Sequence, residues 1–134
     1  MITWDPSYTV EYEGIDEQHK ILISIIHEVE AAIKAESYSF KNLIEIINKL
    51  ENYIKVHFTY EEALMAKHSY PDAERHLQDH NELRYRVLSI NLDYIEKSKD
   101  FYLETYTYLS DWLINHILTI DKKLGKFLVE KGIK

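Results

Sequence analysis

Four stretches of this chain repeat apolar or histidine residues in alternating steps of three and four, and that spacing constrains the fold more than any other feature. The first stripe is Ile15, His19, Leu22, Ile26, Val29 and Ile33, and the second is Leu43, Ile47, Leu50, Ile54, His57, Glu61 and Leu64. The third runs Ala73, His76, His80, Leu83, Val87, Ile90 and Tyr94, and a looser fourth has Tyr102, Thr105, Leu109, Trp112, His116 and Ile120. Such steps keep one line of side chains on one side of an α-helix, so each stretch needs a partner to cover it. Breaks are expected at residues 36–39, 68–71 and 97–100, the second helped by Pro71, which disfavours helical geometry at Tyr70. Connections this short between consecutive helices imply up-down-up-down order. The spacing therefore predicts an all-α, antiparallel four-helix bundle, with residues 1 to about 14 as a non-helical arm and a short helical tail at the C-terminus. Three glycines and two prolines in 134 residues leave little material for a turn-rich β fold, and the length suits a single domain over residues 1–134.

The polar members of these stripes carry the chemistry. In an antiparallel pair, two residues meet when they are equally far from the turn that joins their helices. The midpoint of His19 and His57 is Tyr38, inside the first break. The His57/Glu61 and His76/His80 pairs are centred on the second break, and the point midway between the latter pair and His116 is Lys97, in the third. All these residues thus fall at one height. His57 and Glu61 are four apart, as are His76 and His80, so each pair projects from one helix face. A buried set of this kind is untenable without metal or dense hydrogen bonding. With Asp121 it offers seven ligands, too many for one ion, and suits two ions bridged by both carboxylates. Imidazole and carboxylate together suit zinc, iron, copper or nickel. The Glu-x-x-His spacing of ferritin-like di-metal bundles is absent, since no Glu lies three before any His and only Asp16 precedes His19 in that way.

Asp121 adds a local requirement. It is five residues after His116, and five residues turn an ideal helix about 140° past a full turn, so both cannot face one point from a regular helix. A π-bulge or helix break is predicted between Ile117 and Asp121.

Several fragments, in order, resemble the hemerythrin family, particularly its single-domain bacterial members. They are Trp4 in the arm, Ile15-Asp16-Glu17-Gln18-His19-Lys20, His57-Phe58-Thr59-Tyr60-Glu61-Glu62, Tyr70-Pro71 leading into His76-Leu77-Gln78-Asp79-His80, and Trp112-Leu113-Ile114-Asn115-His116-Ile117 followed by Asp121. The resemblance implies two non-haem irons, cycling between ferrous and ferric, with an oxo or hydroxo bridge. His76, His80 and His116 would fill one iron. His19 and His57 would serve the other, which keeps a position open, and Glu61 and Asp121 would bridge both. Two ferrous ions bring four positive charges against three negative ones from two carboxylates and a hydroxide, a modest residue to bury. The implied activity is reversible dioxygen binding for storage, transport or delivery, with an oxygen-consuming enzyme as a conceivable protein partner. Leu22, Phe58, Trp112 and Ile117 are expected to form a dry oxygen pocket.

The alternatives are a di-iron enzyme (peroxidase, oxidase or nitric oxide-handling) and an oxygen or redox sensor. The set lacks an acid–base residue outside the ligands, which favours binding over turnover, and a sensor needs an output domain. Iron storage is disfavoured by the scarcity of carboxylates. Glu62 and Asp16 flank ligands and could orient an imidazole N–H. His27 and His68 lie off the stripes and are expected to be structural or solvated, and the 11 tyrosines to serve packing and surface. The absence of cysteine excludes disulfides, thiolate metal sites and cysteine nucleophiles. A net charge of −7 argues against nucleic acid or an anionic membrane as partner. No apolar run approaches the ~20 residues that span a bilayer, and the first residues lack a signal-peptide pattern, so a cytoplasmic location is expected. Lys122, Lys123, Lys131 and Lys134 read as helix-end complements to the dipole.

Overall fold

The computed structural model describes residues 3–88 and 99–133. Ile90, Tyr94 and Lys134, and the first half of the break expected at residues 97–100, lie outside them, while Lys99 and Asp100 are already helical. The described chain is helical, without a strand among the described residues, and forms the four helices that the stripes predict. Helix α1 is Glu13–Lys34. Helix α2 covers residues 40–67 as Phe40–Tyr53, a π-helical turn Ile54–Phe58 and Thr59–Lys67. Helix α3 is Ala73–Leu88. Helix α4 covers residues 99–130 as Lys99–Asn115, a π-helical turn His116–Asp121 and Lys122–Glu130, so the expected tail is the continuation of α4. Helix α1 packs against both α2 and α4, and α2 packs against α3. No described helix is long and apolar enough to cross a membrane.

The turns close by local chemistry. Ser39 caps α2 by accepting from the Asn42 N–H at 3.1 Å. At the ends of α1, α2 and α4 one residue turns left-handed: Glu36 (φ 51°), Ser69 (φ 52°) and Gly132 (φ 70°). The next N–H then reaches back five residues, Ser37 to Ala32 O (2.9 Å), Tyr70 to Met65 O (3.0 Å) and Ile133 to Leu128 O (3.0 Å). That satisfies carbonyls which a helix end otherwise leaves open. Helix α2 is thus closed off at Ser69, ahead of the proline to which the sequence assigns the break.

The inward faces follow the stripes closely; Ala32 is buried where the first stripe has Ile33, and two further displacements lie beside π turns. Met65 is buried where the stripe has Leu64, and Asp121 is buried where the stripe has Ile120. A π turn holds more residues than an α turn and so rotates the helix beyond it. The core runs through Ile15, Leu22 and Ile26 of α1, Leu43 and Leu50 of α2, Leu83 of α3, and Leu109, Leu113 and Leu124 of α4, all essentially inaccessible. Each such side chain contributes about 1.5–3 kcal/mol on burial.

The arm is held rather than loose. Asp5 caps a short 3-10 turn at Pro6–Tyr8. The Thr9 hydroxyl (2.5 Å) and the Val10 N–H (2.9 Å) both donate to the Asp16 carboxylate on α1. Val10 then lies over Gly125 of α4, where a Cβ would meet the Val10 carbonyl oxygen at 2.2 Å. Lys20 Nζ sits 5.0 Å above the Trp4 ring.

Candidate metal centre

All seven residues predicted from the stripes and from Asp121 meet inside the bundle, and none is more than 1% exposed. His19 comes from α1, His57 and Glu61 from α2, His76 and His80 from α3, and His116 and Asp121 from α4. Both π turns carry ligands. One contains His57; the other begins at His116 and ends at Asp121, the irregularity that the five-residue spacing demands.

The ligand atoms fall into two overlapping groups in which all atoms lie within 4.8 Å of one another: His19, His57, Glu61, His116 and Asp121, and Glu61, His76, His80, His116 and Asp121. Metal–nitrogen and metal–oxygen bonds of about 2.0–2.2 Å put opposite ligands about 4 Å apart, so each group has the size of one coordination sphere. Glu61 and Asp121 belong to both, the place of a bridging carboxylate. His116 belongs to both as well, so the grouping alone does not divide the histidines three and two.

Contacts within the cluster are close but are not good hydrogen bonds. His76 Nε2 lies 2.9 Å from Asp121 Oδ1, and His57 Nε2 lies 3.2 Å from Glu61 Oε1. Yet Nε2 of His57, His76, His80 and His116, both Glu61 oxygens and Asp121 Oδ1 have no partner in hydrogen-bond geometry among the described residues. One unsatisfied buried polar atom costs about 1–3 kcal/mol, and this many would consume most of a domain's stability. A donor set of imidazoles and carboxylates left open in this way fits metal ions. His19 Nε2 also makes a short contact to Asp121 Oδ2.

Electrostatics show how the chain balances itself without metal. Burial pushes Glu61 up, but His57, His116 and His76 win and hold it well below the usual carboxylate range. Burial and Glu61 push Asp121 up, and His116 and His19 overcome them and keep it ionised. Burial alone would lower His76, but its contacts with Asp121 and Glu61 and their charges raise it to about 9. The same competition, with Asp121 the largest opponent of burial, lifts His116 well above its ordinary value. His57 is lowered, because there burial outweighs Glu61. Two carboxylates thus face two protonated imidazoles.

Around the ligands stands a layer of rings. Phe58 stacks on His80 (3.8 Å between centroids, 4° between planes), Trp112 on His116 (4.3 Å, 15°) and Tyr53 on His57 (4.9 Å, 14°). Leu22 and Ile117 are also fully buried. Phe58 and Trp112 therefore brace His80 and His116, and Phe58 also lies beside His57, 5.4 Å between centroids. Sequence reasoning misses Tyr53; its place four residues before His57 is the available signal, masked by its being one of many tyrosines.

Carboxylates occupy some of the outer imidazole nitrogens. His80 donates its Nδ1–H to Glu62 Oε2 at 2.9 Å, and the same oxygen accepts from Arg84 Nη2 at 2.7 Å. His116 donates Nδ1–H to Asp79 of α3 in a short contact. Of the two flanking acids singled out in the sequence, Glu62 plays the orienting part and Asp16 does not, being taken by the arm. Asp79 is also missed, since nothing in one sequence says that a residue between two α3 ligands serves a histidine of α4. His68 is half-buried in the turn after α2. Lys122 and Lys123 sit within α4 rather than at its end, and Lys123 pairs with Asp72.

The family model for the hemerythrin HHE cation-binding domain matches residues 10–128. A bacteriohemerythrin of Clostridium acetobutylicum is 27% identical over 126 residues, covering 92% of this chain and 98% of that protein. A bacteriohemerythrin of Stenotrophomonas maltophilia is 29% identical over 117 residues (87% and 74%), and a myohemerythrin of Theromyzon tessulatum 29% over 120 residues (90% and 88%). With its four-helix bundle, its shared-carboxylate histidine cluster and a family match over nearly its whole length, this chain belongs to the hemerythrin family.

Proposed function

We propose that this chain binds dioxygen reversibly at a non-haem di-iron centre held by His19, His57, Glu61, His76, His80, His116 and Asp121, serving oxygen storage, transport or delivery. The observation that carries the reading is the sharing of Glu61 and Asp121 between two groups of buried ligand atoms. In this assignment His76, His80 and His116 would hold one iron, and His19 and His57 would hold the second and leave it a position for a small ligand. Iron bound there, with an oxo or hydroxo bridge, would supply the redox capacity for taking up and releasing dioxygen. Each of the four helices donates a ligand, so no part of the bundle holds the centre alone, which supports reading residues 1–134 as one domain.

The protein's own part is to hold these donors in place and keep water out. Phe58 and Trp112 lie against the cluster's rings, and the fully buried Leu22 and Ile117 are assigned to the same apolar wall from their places three residues after His19 and one after His116. Binding rather than turnover is favoured by the groups that border the ligands. Glu62 and Asp79 are committed to imidazole N–H groups, and burial pushes the Tyr53 hydroxyl well up so that it keeps its proton. None of the three is thereby left as a free base to take a proton from a substrate.

The test is absorbance of iron-loaded, metal-quantified protein, reduced without air, then oxygenated, then purged. A coloured adduct that fades on purging and returns with oxygen is the expected result. Lasting ferric protein and released peroxide after one exposure would instead favour an enzyme or a sensor.

A further inference from the structure

The five histidines are not supported alike. His80 and His116 hand their outer Nδ1–H to carboxylates, Glu62 and Asp79. Nδ1 of His19, His57 and His76 is buried without a hydrogen-bond partner among the described residues. The Glu62 support is itself built. Arg84 donates to the carboxylate oxygen that His80 uses, and its guanidinium lies 5.1 Å over the Phe58 ring that stacks on His80. The ring of His80 is thereby fixed in orientation on two sides, with Nε2 3.5 Å from Glu61 Oε2 in the cluster.

We infer that Glu62, seated by Arg84, and Asp79 are positioning residues that make the two metal positions unequal, so that the position of His76, His80 and His116 fills first and holds its ion more tightly. The inference rests on the two-ion reading of the cluster and adds to it an order of filling. A carboxylate at Nδ1 strengthens an imidazole donor. The position with two such histidines therefore gains over the position of His19 and His57, which has none. Of the two carboxylates Glu62 is the more selective lever. His80 belongs to one ligand group only, whereas His116 lies in both.

Cobalt(II) titration of the metal-free protein, read by visible absorption, tests the inference without any oxygen chemistry. The unmodified protein should take up two ions per chain in two resolved steps. Glu62→Gln and Asp79→Asn should each weaken the first step by about 10–100-fold, and Glu62→Gln should leave the second within a factor of about three. Arg84→Gln, which alters no ligand or ligand partner directly, should shift the first step in the same direction by less, and it carries the test if Glu62→Gln fails to fold. Folded variants with an unchanged first step, or with both steps weakened equally, would overturn the inference, as would a single unresolved step in the unmodified protein. Uptake of fewer than two ions by the unmodified protein would overturn the two-ion reading itself.

Discussion

At the residue scale, the cluster is a place where protons and metal ions compete for the same atoms. His76, held at about 9, and His116, held well above its ordinary value, carry protons at neutral pH in the metal-free chain. Metal takes unprotonated nitrogen, so loading at pH 7 should release about two protons per chain from these imidazoles, besides those lost by a bridging water, measured by titrating metal in buffers of different ionisation enthalpy. Because the folded-state value of His76 is raised, its contribution to the stability of the metal-free chain is complete below its ordinary value of 6.5 and lost as pH rises through about 9. The midpoint of urea unfolding of metal-free protein should therefore fall across that window. Metal affinity should rise over the same window. Unchanged stability there would mean that His76 is neutral in the fold. Beyond the ligands, Leu22→Ala and Phe58→Ala should each hasten autoxidation of the oxygenated protein by letting water in. Each should also cost about 2–5 kcal/mol of stability. If autoxidation keeps its original rate in both, the apolar wall does not protect the site.

At the element scale, the two π turns are what let regular helices present irregularly spaced ligands. In α4, His116 and Asp121 face one point although they are five residues apart, because the turn His116–Asp121 takes up the surplus residue. In α2 the buried set Tyr53, His57, Glu61 and Met65 advances by fours, which in an ideal helix would drift about 40° per step. The wider turn Ile54–Phe58 absorbs part of that drift. Deleting the exposed Thr119 removes the surplus residue and should restore α-helical bonding, leaving the aspartate four residues after His116 and on the same face. The expected result is a chain with unchanged far-ultraviolet circular dichroism and unchanged metal content, whereas Asp121→Ala, which keeps the π turn, should lose at least one metal equivalent. Full metal content in Asp121→Ala would show that Asp121 is dispensable as a ligand. The π turn of α4 is legible in the sequence because two ligand-type residues fix both ends of the bad spacing. That of α2 is not, because His57 and Glu61 at four apart satisfy an ordinary helix.

At the scale of the whole molecule, the arm, the first helix and the last close the bundle around the site. The arm approaches α4 at Gly125, where any Cβ would meet the Val10 carbonyl oxygen, and backbone cannot swing aside as a flexible side chain can. Gly125→Ala should therefore destabilise the fold by roughly 1–3 kcal/mol, read as a lower denaturation midpoint, while metal stoichiometry stays unchanged because the ligands lie elsewhere. A midpoint equal to that of the unmodified protein would show that the arm does not bear on α4 there.

The sequence by itself determined the helix count, the two turns within the described residues and the seven residues that meet. Hydrophobic period and equal distance from a turn are properties of spacing, and spacing is written in one dimension. What only tertiary structure decided is which neighbour each outer nitrogen finds. Asp79 of α3 reaching His116 of α4, Arg84 bracing Glu62 against His80 and the Val10 carbonyl resting on Gly125 are all contacts between helices or across the arm. Such contacts depend on rotation and offset between packed elements, to a fraction of an ångström, and no local pattern along a single chain carries that information.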